Sequence, residues 1–76
     1  MKERSVKEIF AERLKYLLDD RGLNIKTFSM EIGIPDSTIS DWLLLKRTPK
    51  IDNIPKIAVY FKISTDYLLG VTEYEN

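Results

Sequence analysis

The chain has 76 residues, twelve basic and twelve acidic side chains, and neither cysteine nor histidine. That length makes one domain with a modest core and a margin of only a few kcal/mol, and the absent thiols and imidazoles exclude disulfides, cysteine–zinc sites and histidine bases. No apolar run reaches the roughly 18 residues that a membrane span needs, and MKERSVKE lacks the apolar centre of a signal peptide, so a cytoplasmic protein is expected.

Residues 1–4 read as a charged arm, after which Ser5-Val6-Lys7-Glu8 fits the capping box in which a serine and a glutamate satisfy each other's backbone amides. The first helix starts there and ends at Gly22. Val6, Phe10, Leu14 and Leu17, with Ile9 and Leu18 beside them, form an apolar stripe at helical period. Asn24 then offers an N-cap oxygen to a second helix, in which Ile25, Phe28 and Ile32 share a face. Gly33 supplies the positive φ that closes this helix, Ile34 plugs the corner, and Pro35 has the fixed φ that suits the start of a third. In that third helix Thr38, Ile39 and Trp42 face inward, leaving Ser37, Ser40, Asp41 and Leu44 outward. Two short helices about one glycine turn make a helix-turn-helix, whose second helix is shaped for a major groove.

Thr48-Pro49-Lys50 reads as a loop and Asp52 as the N-cap of a fourth helix, with Pro55 in its first turn and Ile54, Ile57, Ala58 and Phe61 on its buried face. Ser64 caps a short fifth helix, Thr65 to Leu69, which Gly70 ends, and residues 71–76 form an acidic tail. The charges are unevenly spread: residues 21–50 carry Arg21, Lys26, Lys46, Arg47 and Lys50 against Glu31, Asp36 and Asp41, whereas residues 51–76 carry more acids than bases. A polyanion would orient such a molecule, with modest and salt-sensitive affinity. Catalytic groups do not converge. Asp19-Asp20 and Glu73/Glu75 sit at a helix end and in the tail, no serine has a histidine to activate it, and the three glycines make no phosphate-cradling loop, so no enzyme is expected.

Phe28 through Trp42, FSMEIGIPDSTISDW, resembles the core of the Cro/lambda-repressor-like helix-turn-helix regulators of the xenobiotic-response-element type. Lys46-Arg47-Thr48-Pro49 is similar to the basic, proline-ended loop that follows the family's recognition helix, and Ile57-Ala58 through Leu69-Gly70 to its closing helices. The resemblance spans roughly residues 8–70. It implies an all-α, compact five-helix lambda-repressor-like DNA-binding domain over residues 5–70, in a sequence-specific repressor that binds a palindromic double-stranded DNA operator as a homodimer.

Carried over by position, the resemblance turns Asp36, Ser37, Asp41 and Leu44 toward base edges. The plainer readings are that Asp36 caps the third helix and that Asp41 is a solvated acid. Asn24, Lys26, Lys46 and Arg47 flank the groove-facing helix as phosphate partners. Tyr67, Leu68 and Val71 offer apolar surface for the two-fold contact. No cofactor, metal, small-molecule ligand or membrane enters this reading. Four positions depart from the family. Leu18 and Leu43 stand where relatives often have an arginine–glutamate pair, Ile25 where a phosphate-bonding glutamine is common, and Leu45 where a glycine usually ends the recognition helix. The apolar run Leu43-Leu44-Leu45 keeps a second possibility open, a helix-turn-helix reused as an antirepressor or other protein-interaction module.

Overall fold

A computed structural model describes residues 4–76, which form five helices: α1 Val6–Asp20, α2 Ile25–Ile32, α3 Asp36–Leu43, α4 Asn53–Phe61 and α5 Thr65–Leu69. No strand occurs among the described residues, and the expected all-α architecture is the observed one. Most of the expected N-terminal arm, residues 1–3, lies outside the described residues. Arg4 of that arm pairs with Glu12 at 2.9 Å, at the surface.

The capping box opens α1 as expected. The Glu8 N–H donates to the Ser5 hydroxyl at 3.1 Å, and the Ser5 N–H donates to the Glu8 carboxylate at 3.0 Å. Phe10, Ala11, Leu14, Leu17 and Leu18 are buried along this helix, but Val6 is 56 % exposed. The stripe is therefore fully buried only from Phe10 onward, and Val6, the first helical residue, stands at the rim of an apolar crevice that Ile54 of α4 and Leu69 of α5 also border. Ile9, half-buried, explains Gly70: a Cβ there would stand 2.9 Å from the Ile9 Cγ2.

The core joins all five helices through Phe10, Leu14, Leu17, Phe28, Ile39, Trp42, Ile57, Phe61 and Leu68. Each such side chain contributes about 1.5–3 kcal/mol when fully buried. Phe10 and Trp42 meet edge to face at 5.7 Å between centroids, locking α3 onto α1, while Phe28 stacks on Phe61 at 5.3 Å, locking α2 onto α4. Trp42 thus packs in the core, as its place beside Ile39 predicts. Leu18 and Leu43 both join this core, Leu43 at its edge, so both positions at which the sequence resemblance places an ion pair are apolar here.

Helix ends show where the sequence signals were incomplete. The turn after α3 is a Schellman motif: the Lys46 N–H reaches the Asp41 carbonyl at 2.8 Å and the Leu45 N–H that of Trp42 at 3.2 Å. Leu45 takes φ +63° to make it, and Lys62 takes φ +59° in the corresponding turn after α4. These are left-handed conformations that a Cβ disfavours. Asp52 holds the N-cap position of α4 but makes no side-chain cap bond. It is already αR, so its side chain does not bond the first amides, and the Asn53 N–H goes back to the Lys50 carbonyl at 2.9 Å instead. Ser64 caps α5 as expected, accepting from the Tyr67 N–H at 3.0 Å.

The last residues return over the body of the fold. Val71 N–H bonds the Asp66 carbonyl at 2.8 Å and Ser64 N–H the Glu75 carbonyl at 2.6 Å. Arg13 of α1 donates to the carbonyls of Tyr67 and Thr72 while its guanidinium lies 4.4 Å from the Tyr67 ring centroid. Burial pushes the Tyr67 phenol pKa up. Tyr67 and Leu68 are both buried in the core, which corrects the expectation of free apolar surface there. Five short helices leave room that α5 fills with these two side chains. Val71, at 73 % exposure, is the one of the three that meets solvent.

Candidate nucleic-acid interface

The helix pair is set by local bonds at three points. The Asn24 side chain accepts from the Thr27 N–H at 2.8 Å and starts α2. Gly33 ends it at φ +75°, with its N–H on the Ser29 carbonyl at 2.9 Å. The Ser29 hydroxyl then donates to the Ile34 carbonyl at 2.6 Å, which ties the turn to α2 while buried Ile34 anchors it to the core.

Pro35 occupies the N-cap of α3, and no side chain caps this helix. Asp36 is therefore not the cap; it is exposed in the first turn, where the positive end of the helix favours an acid. Ser37 is exposed beside it, Ser40 and Asp41 are half-buried, and Ile39 and Trp42 fill the opposite face. Leu44 is exposed but stands at the C-cap, one residue beyond α3.

Asp41 is not simply solvated, because its carboxylate lies 3.6 Å from the Arg47 guanidinium. The Schellman turn brings the two together by bonding the N–H groups of Lys46 and Arg47 to the Asp41 carbonyl. Lys46 and Arg47 are exposed beyond the end of α3, and Lys26 is exposed on the first turn of α2. Asn24 already spends its side-chain oxygen on the cap, which leaves its NH2 group to donate elsewhere.

Lys50 and Lys56 were not among the expected site residues. The loop after α3 folds both beside Arg47, along one crevice with Trp42 and Asn53. Their distance from the motif in sequence hides this, since only the closure of that loop brings α4 to α3. Among the described residues no group of three or more acidic, histidine or cysteine side chains forms a metal-holding cluster.

Two short helices held at a glycine turn, the second carrying a polar outward face with cations beyond its end, define a helix-turn-helix protein. Residues 11–73 match the helix-turn-helix domain family, and the chain belongs to it. No curated protein and no solved structure matches the chain. The helix-turn-helix domain is a DNA-binding module rather than a catalytic one. No helix among the described residues is long and apolar enough to cross a membrane.

Proposed function

We propose that this protein is a Cro/lambda-repressor-like transcriptional regulator, acting in the cytoplasm as a homodimeric repressor on a palindromic double-stranded DNA operator. Residues 5–70 are its DNA-binding domain, with 71–76 as the tail. The observation that carries this reading is the two-sided character of α3: Ile39 and Trp42 are buried, Asp36 and Ser37 are exposed, and Lys46 and Arg47 follow beyond its end. Ser37, Asp36, Asp41 and Leu44 read bases; Asn24, Lys26, Lys46 and Arg47 hold phosphates. One recognition helix reads few base pairs, so a two-fold partner doubles both the reading and the phosphate contacts. Val71 supplies the exposed apolar part of that seam.

Titration against duplex DNA from beside its own coding region, repeated at several salt concentrations, tests the reading. Specific binding that weakens steeply with salt supports it. No DNA binding, with a protein contact through Leu44 and Leu45 that holds or tightens as salt rises, would overturn it in favour of an interaction module.

A further inference from the structure

Between α1, α5 and the tail lies a crevice of about 500 Å³, bordered by Glu12, Arg13, Tyr16, Tyr67, Glu73 and Glu75 and by no residue of α2, α3 or α4. Acids and aromatic rings dominate it. Arg13 is the one cation among these residues, and its guanidinium is already spent on the Tyr67 and Thr72 carbonyls and on the Tyr67 ring. Glu12 is paired with Arg4 at 2.9 Å, whereas no lysine or arginine among the described residues stands within ion-pair distance of Glu73 or Glu75. Glu75 is half-buried, where a charge pair is screened less than in open water.

A second feature, independent of those acids, is the Tyr67 hydroxyl. Tyr67 is 8 % exposed; its N–H donates to the Ser64 hydroxyl and its carbonyl accepts from Arg13, but its own hydroxyl has no hydrogen-bond partner among the described residues. That oxygen is not sealed in, because the side-chain atom left both fully buried and unpartnered is the Trp42 Nε1 and not the phenol. Burial pushes the Tyr67 pKa up and the negative charge of Glu75 pushes it further, which places the phenol near the carboxylate that borders the crevice. Nearly buried polar groups are almost always paired, and this one lacks its partner. A neutral phenol oxygen accepts a hydrogen bond as readily as it donates one, so it suits an N–H donor that arrives with positive charge.

We propose that this crevice binds a guanidinium group, whose N–H donors meet the Glu73 and Glu75 carboxylates and the Tyr67 oxygen while its plane lies against the Tyr16 ring. Tyr16 is 51 % exposed and has a free face to offer. A guanidinium fits better than an ammonium because its donors fan out in one plane toward acceptors on two chain segments, and that plane stacks on an aromatic ring. The group can belong to an arginine side chain of a partner protein or to a free small molecule, with the same chemistry at the site. The inference is independent of the DNA reading, since α3 takes no part in it.

The 15N-labelled full chain is titrated with a blocked glycine–arginine–glycine peptide, with methylguanidine, and with the same peptide carrying neutral citrulline for arginine, each against sodium chloride at matched ionic strength. The arginine peptide or methylguanidine should move the amides of Tyr16, Tyr67, Glu73 and Glu75 in a saturable way, and the citrulline peptide and the salt should not. Tyr67→Phe keeps the ring beside Arg13 and loses only an oxygen that bonds nothing in the free chain. It should weaken binding several-fold with an unchanged melting temperature, and Glu75→Gln should do likewise. Binding of the peptide several-fold tighter than methylguanidine assigns the site to a partner's arginine, and equal or tighter binding of methylguanidine assigns it to a free ligand. No saturable response, an equal response to the citrulline peptide, or a response indifferent to Tyr67→Phe or Glu75→Gln overturns the site.

Discussion

Arg47 reaches back across the turn that ends α3 to lie 3.6 Å from the Asp41 carboxylate. A side chain proposed to hold a phosphate and one proposed to read a base therefore neutralise each other in the free protein. Asp41 is about one-third exposed and Arg47 more than half exposed, so the pair contributes less than about 1 kcal/mol and DNA can displace it cheaply. Asp41→Asn releases Arg47 and removes repulsion from the phosphates. Affinity for random DNA should rise by about threefold at low salt and by less at high salt. If Asp41 also accepts from a cytosine amino group, the same variant loses selectivity for the best operator. Electrophoretic or anisotropy titrations on operator and random duplexes separate the two, and unchanged affinity on both would show that α3 stays out of the groove.

Leu45 offers a test of backbone strain. It holds φ +63° at the position where the family resemblance places a glycine. Leu45→Gly should stabilise the fold by about 0.5–1 kcal/mol, because relief of the left-handed strain exceeds the extra chain entropy that glycine loses. Leu45→Ala keeps the strain and should not stabilise. Urea unfolding of both variants distinguishes them, and a Leu45→Gly protein less stable than Leu45→Ala would mean that the side chain's packing outweighs its strain.

The helix starts at Ser5, Asn24 and Ser64 were legible because each is a short polar side chain bonding an amide three residues on. Glycine marked the ends of α1, α2 and α5 in the same way. The ends of α3 and α4 were harder, since Leu45 and Lys62 adopt a glycine's conformation without being glycine, held there by bonds to carbonyls in the preceding turn. The outward face of α3 followed from its period. The Asp41–Arg47 pair and the crevice at Trp42 did not, because both depend on how the loop from Leu44 to Asp52 closes. Tyr67 and Leu68 look like surplus apolar surface in the sequence because helical spacing shows which residues share a face but not whether the core has room for them.

Arg13 is the clamp for the C-terminal residues. It donates to the Tyr67 and Thr72 carbonyls and lies over the Tyr67 ring, so a single side chain ties α1 to α5 and to the tail. Arg13→Met keeps much of the apolar stem and loses the donors, and it should cost about 1–3 kcal/mol. Amide exchange at Ser64, whose N–H bonds the Glu75 carbonyl at 2.6 Å, should accelerate more than exchange in α2. Uniform acceleration across the chain would point to global destabilisation and not to a clamp.

Acid should act through the first helix. Hydrogen bonds from the Ser5 backbone and then its hydroxyl hold the Glu8 carboxyl below its usual range, and the Arg4 bond does the same for Glu12. A carboxylate whose pKa is lower in the folded than in the unfolded chain stabilises the fold above the ordinary value of about 4.3, and that stability is lost as pH falls through the lower folded value. Melting temperature should therefore fall between about pH 5 and pH 3. Glu8→Gln should flatten this dependence in part, with Glu12 keeping the remainder. An identical acid profile in Glu8→Gln would remove the capping box as its cause.

The entry of α3 into the major groove is tested most directly by mapping backbone amide shifts as operator duplex is added to the 15N-labelled protein. Groove entry predicts the largest changes from Asp36 to Arg47 and at Lys26, with little change at Tyr16, Glu73 and Glu75, which border a separate crevice on α1 and the tail. Changes centred on that second surface, with α3 unmoved at saturating DNA, would contradict it.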